Sequence, residues 1–513
     1  MQDESITQGF AMMMKRVENL TRSKRTRQER NRGKSRQPTP RDPTTPGAAY
    51  RTIWRWHFYA GLFCLPFIFV LSVSGGIYLF RPQIDAYLDR RFNHLALASE
   101  AQRLDTQVAA ALRAYPEARF EALELPKDPT DAARIRLVTA EGRQMRVLVR
   151  PDTLEILQKE FEKSRFTALV HDIHGELLMG EPGAILVETA AAWGVVMIVT
   201  GLYLWWPRGG SSPAGVMYPR LAAGGRTFLR DIHAVTGFWL SLFALFFLLS
   251  ALPWTKVWGG SFKYLRGVAA EKEVRQDWTT GPASADKLRR EAFRDAAPPA
   301  GPQDESHTEH LAHPAPERAD GKDVVRPPVV GFDKIAARVT PMMLAEPVLI
   351  SPPSARTRNW RVRSESQNRP LRVSYEFDPL NYTLVGVSRF ADRPLIDRVF
   401  GMGVAAHEGQ LFGWPNQVLG LLTVLGYLTL VVSSLLMWWR RRPVGVLGAP
   451  KEIVPRRPVA RAIVALIVLM GILLPTLGLS LLLVLLVEAI IRRVFPDIAR
   501  WLGLETIRTT RIP

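Results

Sequence analysis

The sequence predicts a polytopic α-helical membrane protein, in which a duplicated span–domain–span unit forms a four-helix core. It also predicts small external α+β domains and a C-terminal hydrophobic hairpin. Long stretches with almost no charge reach the roughly 20 apolar residues that a bilayer requires. Clusters of Lys and Arg flank these stretches at alternate ends. Short motifs around four histidines occur twice, once in each half of the chain.

The composition narrows the classes of protein to which the chain can belong. Of its 513 residues, 47% are hydrophobic and 22% are charged, which excludes wholesale disorder, and the apolar stretches exclude a soluble enzyme. Short basic segments beside the spans contribute to the net charge of +19, as is typical of cytoplasmic segments. We therefore expect a lipid bilayer and no nucleic acid as partner, with nucleic acid left as an alternative for the N-terminal arm only. The single cysteine, Cys64, excludes a multi-thiolate metal or Fe–S site within one chain.

Charges, turn residues and apolar runs predict the segment boundaries. The basic N-terminal tail is rich in Pro and Arg, which is typical of disorder, and its charge predicts a cytoplasmic location. In order, the segments are a disordered cytoplasmic tail (1–50), a first transmembrane helix (51–80), an external domain (81–170), a second transmembrane helix (171–208), a cytoplasmic loop (209–225), a third transmembrane helix (226–253), a second external domain (254–400) with a low-complexity insertion (278–328), a fourth transmembrane helix (401–440), a basic cytoplasmic loop (441–461), a hydrophobic hairpin of two short spans (462–491) and a cytoplasmic tail (492–513).

The sequence of each external segment predicts one helix followed by β-strands. Turn residues such as Glu141-Gly142 separate the strand-like runs. The predicted helices cover 101–114 and 332–340, and the predicted strands cover 120–125, 134–139, 145–149, 154–157, 348–350, 360–363, 371–377 and 383–387.

The last apolar stretch, 462–491, is too long for one ordinary span. Thirty helical residues would measure about 45 Å at roughly 1.5 Å per residue, and Pro475 and Gly478 interrupt them. Because the segments on both sides are basic, two short spans or a re-entrant hairpin fit better than a single tilted span.

The chain contains a tandem repeat. Arg51-Thr52 and the HxxxG motif His57–Gly61 correspond to Arg226-Thr227 and His233–Gly237, at the cytoplasmic start of the first and third spans. His174–Gly180 and His407–Gly413 correspond in the same way at the external start of the second and fourth spans. Parallel repeats of this kind imply a pseudo-two-fold axis along the membrane normal.

The repeat places four histidines in two pairs at matched depth. His57 and His233 lie at the inner boundary, and His174 and His407 lie at the outer boundary. Two imidazoles at one depth can ligate a haem iron from opposite faces, so the arrangement predicts two haem groups and a path for electrons across the membrane. The alternative is that each histidine is an interfacial hydrogen-bonding group, although ionisable residues in spans are usually functional.

Other histidines and motifs carry less specific signals. His171, one turn before His174, is a candidate substitute ligand or hydrogen-bonding partner, with an ordinary surface residue as the alternative. His307, His310 and His313 could bind a divalent metal but lie in the low-complexity insertion. No nucleotide-binding fingerprint is present in the sequence, so electrons would have to come from a separate, unidentified cytoplasmic donor.

Taken together, these motifs resemble the PepSY-associated transmembrane proteins, often called iron-regulated membrane proteins, over roughly residues 50–495. The residues that carry the resemblance are Arg226–Gly237 (RTFLRDIHAVTG), Leu252–Gly260 (LPWTKVWGG), His174–Gly183 (HGELLMGEPG), Gly201–Arg208 (GLYLWWPR) and His407–Gly413 (HEGQLFG). The external segments resemble PepSY domains, notably at Val149–Leu157 and Phe377–Gly386.

The resemblance implies an inner-membrane protein with its PepSY domains in the periplasm. Some relatives are siderophore reductases that hold two b-type haems and pass electrons outward to a ferric siderophore. Carried over by position, His57, His174, His233 and His407 would be the axial ligands. The chain departs from the pattern in the WHFYAG motif of its first half and in the insertion at 278–328.

Three functions follow as hypotheses. The leading one is a dihaem-b oxidoreductase that takes electrons from the cytoplasmic side and reduces a ferric siderophore at the periplasmic face. The second is a non-enzymatic regulator whose PepSY domains bind a peptidase or a signalling partner, which needs no cofactor. The third is a permease for a ferric siderophore or haem, which would need polar groups near the bilayer midplane, where these spans have few.

Overall fold

The computed structural model describes residues 47–207, 212–269, 330–354, 357–450 and 458–504. Most of the predicted tail over 1–50 and the whole insertion at 278–328 lie outside the described residues. In chain order, the helices are α1 (Gly47–Tyr78), α2 (Arg81–Asp89), α3 (Leu104–Ala114), α4 (Phe166–Glu176), α5 (Glu181–Trp205), α6 (Gly225–Ala251), α7 (Val257–Ala269), α8 (Phe332–Val339), α9 (Leu395–His407), α10 (Trp414–Arg441), α11 (Pro458–Leu473), α12 (Pro475–Val494) and α13 (Pro496–Leu502).

Four of these helices, α1, α5, α6 and α10, are long and apolar enough to cross a membrane, which confirms the predicted number of core spans. They are helical because backbone groups in hydrocarbon must find their hydrogen bonds within the segment. Each span packs against the next one, and α10 packs against α1, so that the four helices close into a ring. We call the end at which α1 and α6 begin the inner end, and the opposite end the outer end.

All eight described strands lie in one antiparallel sheet with the order β4-β3-β2-β1-β5-β6-β7-β8. The strands are β1 (Arg119–Glu124), β2 (Ala133–Val138), β3 (Gln144–Val149), β4 (Ile156–Phe161), β5 (Val348–Ser351), β6 (Trp360–Ser364), β7 (Val373–Phe377) and β8 (Leu384–Arg389). The sequence predicts two separate domains, but β1 and β5 pair and join the two four-stranded halves. This pairing satisfies two strand edges that would otherwise expose unpaired backbone groups.

Helices α3 and α8 lie at the centre of this joined sheet and contact each other. The Asp105 carboxylate accepts hydrogen bonds of 2.8 Å from the backbone N–H groups of Gly331 and Phe332, at the start of α8. In return, Asp333 accepts a hydrogen bond of 2.9 Å from the backbone N–H of Leu104, at the start of α3. Each half of the external domain therefore caps a helix of the other half, and Val108, Phe332, Ile335 and their neighbours form one shared core.

The segments predicted as single transmembrane helices over 171–208 and 401–440 each consist of two helices. In the first, the chain leaves α4 through a left-handed residue at Leu177 and begins α5 after Gly180. Gly183 permits the sharp turn, because a Cβ atom there would lie 1.8 Å from the carbonyl oxygen of Glu176. In the second, α9 ends at His407 and α10 begins after Gly413, whose φ of +65° favours glycine.

Helix α7 lies within the range 254–400 that the sequence analysis assigns to the second external domain, at residues for which no element is predicted. Glu188, buried in α5, holds the start of α7 by accepting hydrogen bonds from the backbone N–H groups of Val257 (2.8 Å) and Trp258 (2.9 Å). A carboxylate at this position also interacts favourably with the positive end of the helix dipole.

The predicted hairpin over 462–491 corresponds to α11 and α12, which separate at Leu474, directly before Pro475, one of the two predicted interruptions. The two helices contact each other closely: a Cβ atom on Gly478 would lie 2.5 Å from the carbonyl oxygen of Gly471. Trp193 of α5 donates a hydrogen bond of 3.0 Å to Ser480 of α12, which attaches the pair to the core bundle. Whether these two helices cross the membrane stays a prediction.

Candidate cofactor-binding site

A cavity of about 2090 Å³ runs between the four spans. Its lining includes His57, His174, His233 and His407, together with residues from the inner and outer ends of the bundle. Pockets for one small molecule usually have volumes up to about 1,000 Å³. The cavity therefore has room for more than one organic ligand.

The inner histidine pair joins two spans across the ring of helices. His57 lies on α1 and His233 lies on α6, and the centres of their imidazole rings are 6.5 Å apart with the ring planes at 85°. Both residues belong to the HxxxG motifs, so the structure brings together the two copies of one sequence motif.

The outer pair is built from the short helices that precede α5 and α10. His174 lies on α4 and His407 is the last residue of α9, and their ring centres are also 6.5 Å apart, with the planes at 80°. The helices α4 and α9 end at Glu176 and His407, so each is a separate helix from the span that follows it. The geometry of the second pair therefore matches that of the first.

Every one of these four imidazoles makes a hydrogen bond to a hydroxyl group on a neighbouring span. The Nδ1-to-hydroxyl distances are 2.9 Å for His57 and Thr200, 3.1 Å for His174 and Ser74, 3.1 Å for His233 and Ser433, and 2.8 Å for His407 and Ser250. Each hydroxyl also donates its hydrogen to a backbone carbonyl one turn earlier in its own helix. The hydroxyl oxygen consequently accepts the hydrogen on Nδ1, and Nε2 is the nitrogen left to ligate a metal.

The spacing within each pair fits two imidazoles on one metal ion. A ligating imidazole nitrogen lies about 2.0 Å from its metal and the ring centre about 1.1 Å behind that nitrogen, so two ring centres on opposite sides of the metal should be about 6.2 Å apart. The observed separation is 6.5 Å in both pairs. Nowhere in the described ranges do three or more His, Cys, Asp or Glu side chains cluster as a metal site. Two protein ligands per site suit a haem, whose porphyrin supplies the remaining ligands.

Two glycines make room for the histidine rings. A Cβ atom on Gly75 of α1 would lie 2.8 Å from Cε1 of His174, and a Cβ atom on Gly201 of α5 would lie 3.2 Å from Cε1 of His57. Both imidazoles therefore pack directly against helix backbone, which restricts their positions before any ligand binds.

The charges along the cavity differ between its two ends. Acidic lining residues occur only at the outer end; these are Glu176, Glu181, Glu188 and Glu408. The inner end is lined by arginines, namely Arg51, Arg220, Arg226, Arg230, Arg440 and Arg441. Of these, Arg220 and Arg230 pair with the fully buried carboxylate of Asp231. The inner end is consequently cationic, which favours an anionic partner there.

His171 belongs to neither of the two histidine pairs. Its side chain is half exposed, its Nδ1 lies 3.3 Å from the Asp172 carboxylate, and its ring packs 5.6 Å from that of Tyr78. It lines the cavity beside His174 but faces no second imidazole at ligand spacing. The cluster of His307, His310 and His313 lies outside the described residues.

The sequence analysis missed the four hydroxyl partners, although a signal for them exists. Ser74 follows His57 by 17 residues, and Ser250 follows His233 by the same number. Thr200 and Ser433 likewise each follow the histidine of their own outer motif by 26 residues. Comparison of the two halves for polar residues at equal spacing within otherwise apolar spans would have found all four.

A family model described as PepSY-associated TM region matches residues 54–441. This range contains most of α1, the whole of α5, α6 and α10, all four paired histidines and their hydroxyl partners. No curated protein matches the chain.

Proposed function

The chain belongs to the family of PepSY-associated transmembrane proteins, and on that premise we propose that it is a dihaem-b membrane oxidoreductase. Electrons would pass from an anionic cytoplasmic donor at the inner end to a ferric siderophore at the outer end. We place the protein in the bacterial inner membrane, with its N-terminus in the cytoplasm and the eight-stranded sheet in the periplasm. We also propose that its two halves arose by duplication and are related by a pseudo-two-fold axis along the membrane normal.

The observation that carries this proposal is the pair of matched imidazole sites. The two sites lie at opposite ends of the bundle and have the same 6.5 Å spacing and the same type of hydroxyl partner on Nδ1. Histidines that only formed interfacial hydrogen bonds would not need this matched pairing. His57 and Ser74 are 17 residues apart on α1, so the sites are separated by about 25 Å of helix at roughly 1.5 Å per residue. This separation is close to the hydrocarbon thickness of about 30 Å.

The residues of the chain would hold and tune the cofactors. His57 and His233 would ligate one haem through Nε2, and His174 and His407 would ligate the other. Each bound haem would supply an iron that accepts and gives up one electron. The hydroxyl groups of Thr200, Ser433, Ser74 and Ser250 fix the tautomer and orientation of the ligands. The lining of the cavity between the two sites is largely apolar.

Reduction of the iron would also release it from the siderophore. Each Fe(III) in the siderophore takes up one electron that comes from the cytoplasmic donor, and the siderophore itself is unchanged. The hard oxygen ligands of siderophores bind Fe(III) much more strongly than Fe(II), so the reduced iron dissociates. The Lys256, Arg369 and Arg372 side chains line the outer end of the cavity, where such a complex would approach.

An absorption spectrum of the detergent-purified protein, before and after dithionite, tests the proposal together with a pyridine haemochrome count. A split b-type α-band and a count near two haems per chain would support it. A colourless protein from cells with adequate haem supply would overturn it and would favour the non-enzymatic regulator.

A further inference from the structure

Arg369 lies at the outer end of the cavity and comes from the external domain. It begins the single-turn helix Arg369–Leu371 in the connection between β6 and β7. Its guanidinium carbon is 5.7 Å from the ring centre of Trp254, and the Trp254 ring is 6.1 Å from that of His407. Its Cβ lies 3.9 Å from the position of a Cβ on Gly401, in the helix that carries His407. The external domain thus places the Arg369 guanidinium beside the outer histidine pair.

Apart from the Trp254 ring, the side chain of this half-buried arginine has no hydrogen-bond or ion-pair partner among the residues that the structure describes. Its Nε is buried without a hydrogen-bond acceptor, and no described carboxylate forms an ion pair with it. In contrast, the neighbouring Arg372 donates from Nε to the Ser366 carbonyl over 2.7 Å. Buried polar groups without partners are rare, and leaving a charged donor unpaired costs more than leaving a neutral one.

The acidic residues nearby do not satisfy Arg369. Glu181 pairs with Lys256, and Glu188 accepts the backbone N–H groups at the start of α7. Glu408 interacts electrostatically with Arg81 and Tyr78. The neighbouring Gln367 also has a buried amide nitrogen without an acceptor, so the same connection carries a second unsatisfied donor.

We propose that Arg369 is a binding residue for a carboxylate at the outer mouth of the cavity. The planar fork of a guanidinium group binds the two oxygens of a carboxylate side by side, and the Trp254 ring beneath it restricts its orientation. This inference rests on the proposed function, which supplies two sources of the carboxylate. One is a propionate group of the outer haem, and the other is a carboxylate of the ferric complex that is reduced.

The test uses three variants of the full-length protein in detergent. Arg369→Gln removes the charge, Arg369→Lys keeps the charge but removes the fork, and Arg338→Gln removes an exposed charge on α8 as the matched control. Haem content and the midpoint potential of each haem are measured by redox titration. Binding is measured by calorimetry with gallium(III) citrate, a redox-inert carboxylate complex, and with gallium(III) desferrioxamine B, a hydroxamate complex without a free carboxylate.

Two results would support the proposal and identify the source. A more negative potential of the outer haem alone in Arg369→Gln would assign the carboxylate to the propionate, since loss of a nearby cation disfavours the reduced iron. Unchanged potentials with at least a tenfold weaker binding of gallium citrate, but not of the desferrioxamine complex, would assign it to the substrate. In either case Arg369→Lys should lie between wild type and Arg369→Gln.

Two other results would overturn it. One is wild-type behaviour of Arg369→Gln in every measurement, and the other is an equal effect of Arg338→Gln. A wild-type protein without haem would instead refute the proposed function, and the gallium citrate measurement would still decide the role of Arg369.

Discussion

Substitution of Gly75 by alanine should remove one haem and leave the other. The new Cβ atom would lie 2.8 Å from Cε1 and 3.2 Å from Nδ1 of His174. Carbon atoms in contact are at least about 3.5 Å apart, so the ring would have to retreat by roughly 0.7 Å. Metal–ligand distances tolerate only about 0.2 Å. The displacement would also disturb the hydrogen bond between His174 and Ser74.

The expected loss can be placed on an energy scale. Disturbance of the groups that orient a ligand typically weakens metal binding by about 10- to 100-fold, or about 1.4 to 2.8 kcal/mol. Alanine favours the helix over glycine by up to about 1 kcal/mol, so the fold of α1 should not suffer. The haem count of the purified variant should therefore fall from two towards one, without a loss of expression.

The matched control is Gly61→Ala on the same helix. Its Cβ would lie 3.3 Å from Cε of Met197, a flexible side chain that can move away, so this variant should keep both haems. The assay is a pyridine haemochrome count with a dithionite difference spectrum. Two haems and an unchanged spectrum in Gly75→Ala would refute the packing argument.

Three further predictions test the pairing, the hydroxyl partners and the external domain. His407→Ala should remove the outer haem and leave the inner one in the difference spectrum; equal loss of both, or of neither, would contradict the pairing by depth. Ser433→Ala should weaken haem binding at the inner site by about 10- to 100-fold, measured by haem transfer to apomyoglobin. Thr429→Ala should have no effect, because the hydroxyl of Thr429 donates only to the Leu425 carbonyl of its own helix. Burial alone would raise the pKa of Glu365, but Arg136 in the other half of the sheet holds it below its ordinary value of 4.5. This ion pair should stabilise the protein above pH 4.5 and should lose its contribution as the pH falls further below that value. The melting temperature of Glu365→Gln should therefore depend less on acid pH than that of wild type. Parallel pH profiles of the two proteins would argue against the ion pair.

The spans and strands could be predicted because their signals are local. A helix in hydrocarbon forms all its backbone hydrogen bonds within itself. An apolar run such as that of α10 can therefore be predicted as a span from its own residues, without knowledge of the helices around it. The strands of the external domain likewise follow from β-rich runs between turn residues. The four histidines were identifiable because the repeated motifs place them at equal depths in the two halves.

The helix breaks before α5 and α10 were not predicted, because an apolar run indicates that its residues avoid water but does not indicate where the chain changes direction. The turn after Glu176 depends on a contact between Gly183 and a carbonyl oxygen, which hydropathy does not register. The same limit explains the joined sheet: the strand signals of β1 and β5 carry no information on which edge each will meet. Both features depend on contacts between atoms rather than on residue type alone.

Local patterns in the chain were therefore enough to find the membrane helices, the repeat and the histidines, since each reflects the solvation of a short segment. Tertiary packing alone decided the 6.5 Å spacing within the pairs, the hydroxyl group opposite each Nδ1, and the placement of Arg369 beside Trp254. These contacts join groups that are far apart in the chain: 200 residues separate His233 from Ser433. Their distances depend on the shape with which whole helices fit together, and a local pattern of hydrophobic and polar residues does not encode that fit.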